Sequence, residues 1–143
     1  IIADEVELSG TTRAYTEENR NMIKNRMEDI IDGVSKTFGT EIILNYKEGY
    51  PPTINHEIPS KNILEAASQV VGVGAGFPYL SMGGEDFSYY LRNVPGCFFF
   101  VGSAPDKKDT LSTPHHCSHF NIDERALLVG ASVYINLIEN LLG

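Results

Sequence analysis

Near the start of the chain apolar and small residues alternate with polar ones: Val6, Leu8, Gly10, Thr12 and Ala14 interleave with Glu5, Glu7, Ser9, Thr11 and Arg13. A period of two is that of a half-buried strand, with Arg13 on the polar face. From Thr16 the period changes. Thr16 is placed to cap a helix whose first turn holds Glu17 and Glu18, where the positive end of the helix dipole favours negative charge. Ile23, Met27, Ile30, Ile31, Val34 and Phe38 then recur at helical spacing, and Gly39 stands where a left-handed cap belongs. Such a stripe predicts a helix laid on a sheet. "EIILNYKEGY" resumes strand character, and the three prolines of "PPTINHEIPS" read as a connection. Residues 1–55 are therefore expected to form β-α-β.

Beyond the connection, "SKNILEAASQVVG" predicts a helix capped by Ser60 and ended by Gly72 or Gly74. "YLSMGGEDFSYYL" sets Gly83 and Gly84 before an acidic helical start, where free backbone N–H groups can face a ligand's negative charge. Glu85 and Asp86 read first as caps of that helix. "CFFFVGS" is wholly apolar at its centre and predicts a central strand covered on both faces. "DTLSTPHHCSHFN" reads as a loop, with Asn121 or Asp123 capping the last helix through Leu142. "ALLVGASVYINLIENLLG" carries Asn136, Glu139 and Asn140 and reads as a buried helix rather than a membrane span. The fold class is thus α/β, with too few strands for its apolar helices, so its sheet is expected to be completed by chain absent from this sequence.

Composition narrows the functional classes. With 143 residues, 42% of them hydrophobic, the chain has the size and apolar content of a folded domain. A formal net charge of −8 and no basic stripe argue against nucleic acid, whose phosphates require clustered Lys and Arg. Two cysteines, Cys97 and Cys117, are too few for a disulfide scaffold and suit a reducing, cytoplasmic setting. The opening "IIADEVEL" has neither an initiator Met nor a charged-then-apolar leader, and reads as cut from something longer.

The densest chemistry lies in "STPHHCSHFNIDE". A catalytic ion needs about three protein ligands and an open position. His115 and His116 are adjacent, so in extended backbone their side chains diverge and only one readily reaches a given ion. Cys117 and His119 could join only in a tight curl, and the spacing matches no familiar structural zinc pattern.

Together, "ADEVELSGTTRAYTEENR", "GYPPTINH", "SMGGEDFSYYLRNVPGCFFFVGS" and "PHHCSHFNIDERAL" resemble the C-terminal half of the metal-dependent aminoacylase and carboxypeptidase amidohydrolases, the hippurate and auxin-conjugate hydrolase branch in particular. The resemblance runs through nearly the whole chain in order. It implies half of a β-α-β-β-α-β lid, a dimerisation domain, over residues 1–55, followed by the C-terminal segment of an α/β zinc-peptidase-like catalytic domain over 56–143. It also implies His116 as a metal ligand, counted back from Phe120, with His115 given no ligand role. Arg13, whose planar fork suits a carboxylate, is implied as the substrate grip, with Gly83 and Gly84 beside the substrate. His56 reads as a linker residue.

The implied activity is hydrolysis of the amide of an N-acyl amino acid or short peptide, with a divalent Zn, Mn, Ni or Co ion in the intact enzyme. The family's other ligand motifs and its general-base glutamate do not occur in this sequence, so no catalytic residue is assigned, the chain alone is expected to be inactive and the ion is not expected to be retained. A homodimer through strands 5–15 or 41–50 is expected, because unpaired strand edges template association. The competing reading is a non-catalytic dimerising α/β module that binds a small anion at the Gly83–Gly84 turn.

Overall fold

The computed structural model describes residues 1–105 and 115–143, and four helices are found there: α1 (Glu17–Phe38), α2 (Glu57–Val71), α3 (Phe87–Leu91) and α4 (Arg125–Leu142). Of the loop expected over 109–121, residues 109–114 lie outside the described residues. The backbone divides into two compact units, one of residues 1–53 with 80–89 and the other of residues 54–79 with 90–143.

The α/β expectation, both for the lid half and for the catalytic segment, is overturned: the described residues contain helices and no strand. A strand exists by virtue of its ladder, whereas alternation records only which face a segment could bury. Residues 5–15 and 41–50 exchange no backbone hydrogen bonds; a side-chain bond of 2.9 Å between the Thr12 and Tyr46 hydroxyls joins them instead. Val6 and Leu8, the apolar face of the supposed first strand, stay exposed.

In the first unit α1 forms where the sequence places it. The Thr16 hydroxyl accepts the Asn19 N–H at 3.1 Å, and Gly39 closes the helix at φ 65° with its N–H on the Ser35 carbonyl. The apolar stripe finds no sheet. Ile23, Met27 and Ile31 are half-buried, while Ile30, Val34 and Phe38 are exposed. The neighbour along α1 is the 46–49 segment, held by polar contacts: Arg20 reaches Glu48 at 3.3 Å and the Gly49 carbonyl at 3.4 Å, and Lys24 lies 5.7 Å from the Tyr46 ring centre. Surface ion pairs contribute about 0–1 kcal/mol each, so these contacts orient the segment more than they stabilise it.

The second unit is built on α2 packed against α4. Ile63 and Ala66 of α2 and Val133 of α4 are buried, and the Gln69 and Asn140 amides exchange two hydrogen bonds of 3.4 Å between the helices. α2 begins earlier than expected, at Glu57. Pro59 is tolerated because the first turn leaves its missing N–H without a helical acceptor, and Ser60, expected to cap, instead donates back to the His56 carbonyl at 2.7 Å. Gly72 ends the helix as expected, its N–H on the Ser68 carbonyl.

The CFFFV segment is not the doubly covered strand expected. Asn55 takes the place of a neighbouring strand: its side-chain amide donates to the Phe98 carbonyl and its oxygen accepts the Phe98 N–H, both at 2.7 Å. The His56 N–H adds a bond to the Gly96 carbonyl at 3.0 Å. Alternate side chains then part to opposite sides. Phe99 meets the Tyr134 ring at 5.5 Å, and Val101 lies against Gly130 one turn earlier on α4. Phe98 and Phe100 stack edge to face at 5.1 Å, with Tyr79 on Phe100.

α4, expected to be buried, is corrected as well. Only Val133 is buried, and Leu127, Leu128, Ile135, Ile138 and Leu141 are exposed. By length and composition the helix could cross a membrane, a property that core helices of globular proteins share. Its start is anchored as the sequence predicts, through Asp123, whose carboxylate accepts the Arg125 N–H at 3.0 Å and pairs with the same residue's guanidinium.

Those bonds from Arg125, the side-chain one first, hold the Asp123 carboxyl down from 3.8 to about 2. A carboxyl whose folded pKa is depressed supports the fold above its ordinary pKa and loses that support as pH falls through the folded value. Acidification from about pH 4 to pH 2 should therefore loosen the α4 start. NMR titration of the Asp123 carboxyl should show a midpoint near 2, and Asp123→Asn should remove the acid-dependent part of the change.

A second test concerns Gly76, which has φ 81° and whose missing β-carbon would collide with the Leu64 side chain. A non-glycine residue in left-handed backbone costs roughly 1–2 kcal/mol before any clash is counted. Gly76→Ala should lower stability to denaturant by at least that much, while Gly10→Ala, which meets open space, should change little.

Candidate functional site

Two of the residues expected to hold substrate are neighbours in the first unit. A β-carbon added at Gly84 would lie 3.7 Å from Arg13 Nη1 and 3.4 Å from Tyr50 Cδ2, ordinary contact distances. The absent side chain thus leaves a notch bordered by a cation and an aromatic ring. Gly83 precedes it, its N–H bonded to the Ser81 hydroxyl at 3.1 Å. Glu85 faces away from anion binding: its carboxylate accepts the Phe87 N–H at 3.1 Å and its carbonyl accepts the Ser88 hydroxyl at 2.7 Å. That is the capping role the sequence suggested, and the short α3 follows from it.

Arg13 is exposed, and among the described residues it has no carboxylate partner. This is notable in a chain with 19 acidic and 11 basic residues, where Arg20, Arg26 and Arg125 each hold a carboxylate. A guanidinium left unpaired beside a side-chain-free notch can accept a carboxylate through two parallel N–H bonds.

His116 belongs to the second unit. It is exposed, and at φ 66° it is the one non-glycine residue with positive φ among the described residues. Histidine enters left-handed backbone more readily than most residues, but the conformation is uncommon and occurs where the surroundings impose it. A turn closed by the Phe120 N–H on the Cys117 carbonyl at 3.1 Å follows it. The His115 ring rests 4.9 Å from the Phe120 ring, which occupies it as a packing group.

A divalent ion would need more donors than this. No group of three or more His, Cys, Asp or Glu side chains converges among the described residues. His116 offers a single imidazole, so the residues present do not by themselves fit a metal centre. A shallow cavity lined by Asn62, Glu65, Asn140 and Leu141 contains none of the residues predicted from sequence. His56, read as a linker, accepts the Gly96 N–H at Nδ1 (3.1 Å) and has a structural part in the second unit. Sequence reasoning missed Tyr50 and Tyr89, whose rings meet edge to face at 5.8 Å beside the notch. No local pattern marks them, because their proximity is created by the fold.

Comparison with known proteins gives this geometry a context. Residues 5–140 match the model of peptidase family M20/M25/M40. The chain is 37% identical over 136 residues to YhaA of Bacillus subtilis strain 168, an amidohydrolase by name, covering 93% of this chain and 34% of that protein. It is 33% identical to thermostable carboxypeptidase 1 of Saccharolobus solfataricus, over 92% of this chain and 33% of the other. It is 31% identical to N-acetyldiaminopimelate deacetylase of Enterococcus faecalis, over 99% and 36% respectively. Among solved structures, one from methicillin-resistant Staphylococcus aureus, described as an aminohydrolase, superposes with a TM-score of 0.70 at 23% identity, over 90% of this chain and 33% of that one. The chain thus spans about a third of the length of these relatives.

Proposed function

Because the chain belongs to peptidase family M20/M25/M40, we infer that it is part of a divalent-metal-dependent hydrolase that cleaves the amide of N-acyl amino acids or short peptides. The names amidohydrolase, carboxypeptidase and deacetylase among its relatives have one bond type in common, the amide. In its hydrolysis the oxygen of water joins the acyl carbon, the C–N bond breaks, and the nitrogen leaves with a proton.

The observation that carries the substrate class is the unpaired Arg13 guanidinium beside Gly84. Arg13 grips the substrate's carboxylate, and the Gly83–Gly84 turn lets backbone come close to it. His116 contributes one donor to an ion, of Zn, Mn, Ni or Co type, whose other donors are not among the described residues. No catalytic step is therefore assigned to this chain, which by itself is inactive and does not retain the ion. Residues 1–55 serve as lid and dimerisation part and residues 56–143 as part of the catalytic body, in a cytoplasmic homodimer. The exposed Val6 and Leu8 support association through residues 5–15, with 41–50 as the other candidate segment. Light scattering should show a dimer; a monodisperse monomer would contradict this part.

The test of the activity is an assay of N-acetyl amino acid hydrolysis in the presence of added divalent metal. The full-length product of the gene encoding these residues should release the free amino acid, and the 143-residue chain should release none. Turnover by the 143 residues unaided would overturn the reading, as would an inert full-length product.

A further inference from the structure

We propose that Tyr50 and Tyr89 form an aromatic ledge beside Arg13 and Gly84 that selects carboxylates bearing an aromatic or bulky apolar group close to the acid. The proposal rests on Arg13 as the carboxylate grip and adds what that grip discriminates.

The two rings meet edge to face, with centroids 5.8 Å apart and planes at 77°. Both rings are about half exposed, Tyr50 at 52% and Tyr89 at 48%. Tyr50 Cδ2 and Arg13 Nη1 both lie within ordinary contact of the position that a Gly84 side chain would fill. Tyr50, Tyr89, Gly84 and Arg13 all belong to the first unit, so the arrangement is internal to one compact body. The carboxylate next in sequence, Glu85, is turned onto the Phe87 N–H and does not compete for the guanidinium.

This juxtaposition has a direct chemical reading. A guanidinium holding a carboxylate fixes one end of a ligand, and a substituent on the neighbouring carbon then extends past Gly84 toward Tyr50. An exposed aromatic pair loses water when a ring or branched aliphatic chain covers it, and gains ring-to-ring contact in addition. A methyl substituent is too short to cover the ledge. N-acyl derivatives of aromatic or large aliphatic amino acids are the class that satisfies both features.

The test uses the 143-residue chain with N-acetyl-L-phenylalanine and N-acetyl-L-alanine as probes, followed by NMR. The phenylalanine derivative should bind roughly three- to tenfold more tightly and should shift the ring signals of Tyr50 and Tyr89. Tyr50→Leu combined with Tyr89→Leu should bring the ratio of affinities close to one, chiefly through loss of affinity for the phenylalanine derivative. Arg13→Met should weaken both probes with their ratio kept. Equal affinities in the unaltered chain, or a ratio unmoved by the double substitution, would overturn the ledge and leave the carboxylate grip standing. Unchanged affinities in Arg13→Met would defeat the grip itself, and absence of binding by either probe would defeat both. If the double variant fails to fold, nuclear Overhauser contacts between the probe's phenyl ring and Tyr50 in the unaltered chain decide the matter: their presence supports the ledge and their absence rejects it.

Discussion

Arg13→Met in the full-length gene product should raise KM for N-acetyl amino acids by roughly ten- to a hundredfold, because hydrogen bonds to a charged group contribute about 1.5–3 kcal/mol. Methionine keeps much of the stem's length and apolar surface, so the change isolates the guanidinium. A substrate whose carboxylate is replaced by a carboxamide should be turned over poorly by both forms, and the substitution should make little further difference to it. The stability of the chain should hold, since Arg13 is exposed and has no carboxylate partner among the described residues. Equal KM values for the two forms on the carboxylate substrate would remove the assignment. Arg13→Lys should recover only part of the loss, since an ammonium supplies charge without the planar fork.

The largest effect on stability is expected from Val133→Asp. Val133 is 3% exposed on α4, the helix that packs on α2, and it shares the small buried core of the described residues with Ile63 and Ala66 of α2. A carboxylate placed there has no partner, and an uncompensated buried charge costs about 3–5 kcal/mol. With so small a core that loss should separate the two helices. Circular dichroism should show reduced helix content at neutral pH, partly restored by acid, which neutralises the introduced group. Leu128→Asp, at an exposed position on the same helix, should leave the signal nearly unchanged.

What the sequence revealed was governed by how local the determining physics is. Thr16 and Gly39 bound α1 where the sequence places them because a cap is a contact with backbone one turn away. Asp123 anchors α4 for the same reason. Ser60 resembles a cap in sequence but lies inside α2, because the helix starts before Pro59 and a proline in the first turn looks locally the same as one in a loop. The strands failed for a different reason. Alternation along Val6, Leu8 and Gly10 shows a face, but a ladder partner is distant in sequence, and the described residues supply none. At Phe98 a single asparagine side chain stands in for that partner, and no periodicity could announce it.

The candidate site divides in the same way. Arg13 and His116 take their roles from resemblance, whereas Gly83 and Gly84 also stand out by their place before an acidic helical start. Arg13 and Gly84 then prove to be neighbours, brought together by segments far apart in the chain. The Tyr50–Tyr89 pair escaped notice because each tyrosine lies in an unremarkable run. The positive φ of His116 is a property of its turn and leaves no trace in composition.

If His116 is a donor to a metal ion that serves amide hydrolysis, its removal should cost both the ion and the reaction. Metal content, measured by elemental analysis on the full-length gene product and on its His116→Ala variant, tests it most directly. The His116→Ala variant should bind less divalent metal per chain and lose hydrolysis of N-acetyl amino acids in parallel, while His115→Ala keeps both. A His116→Ala protein with undiminished metal and undiminished turnover would contradict it.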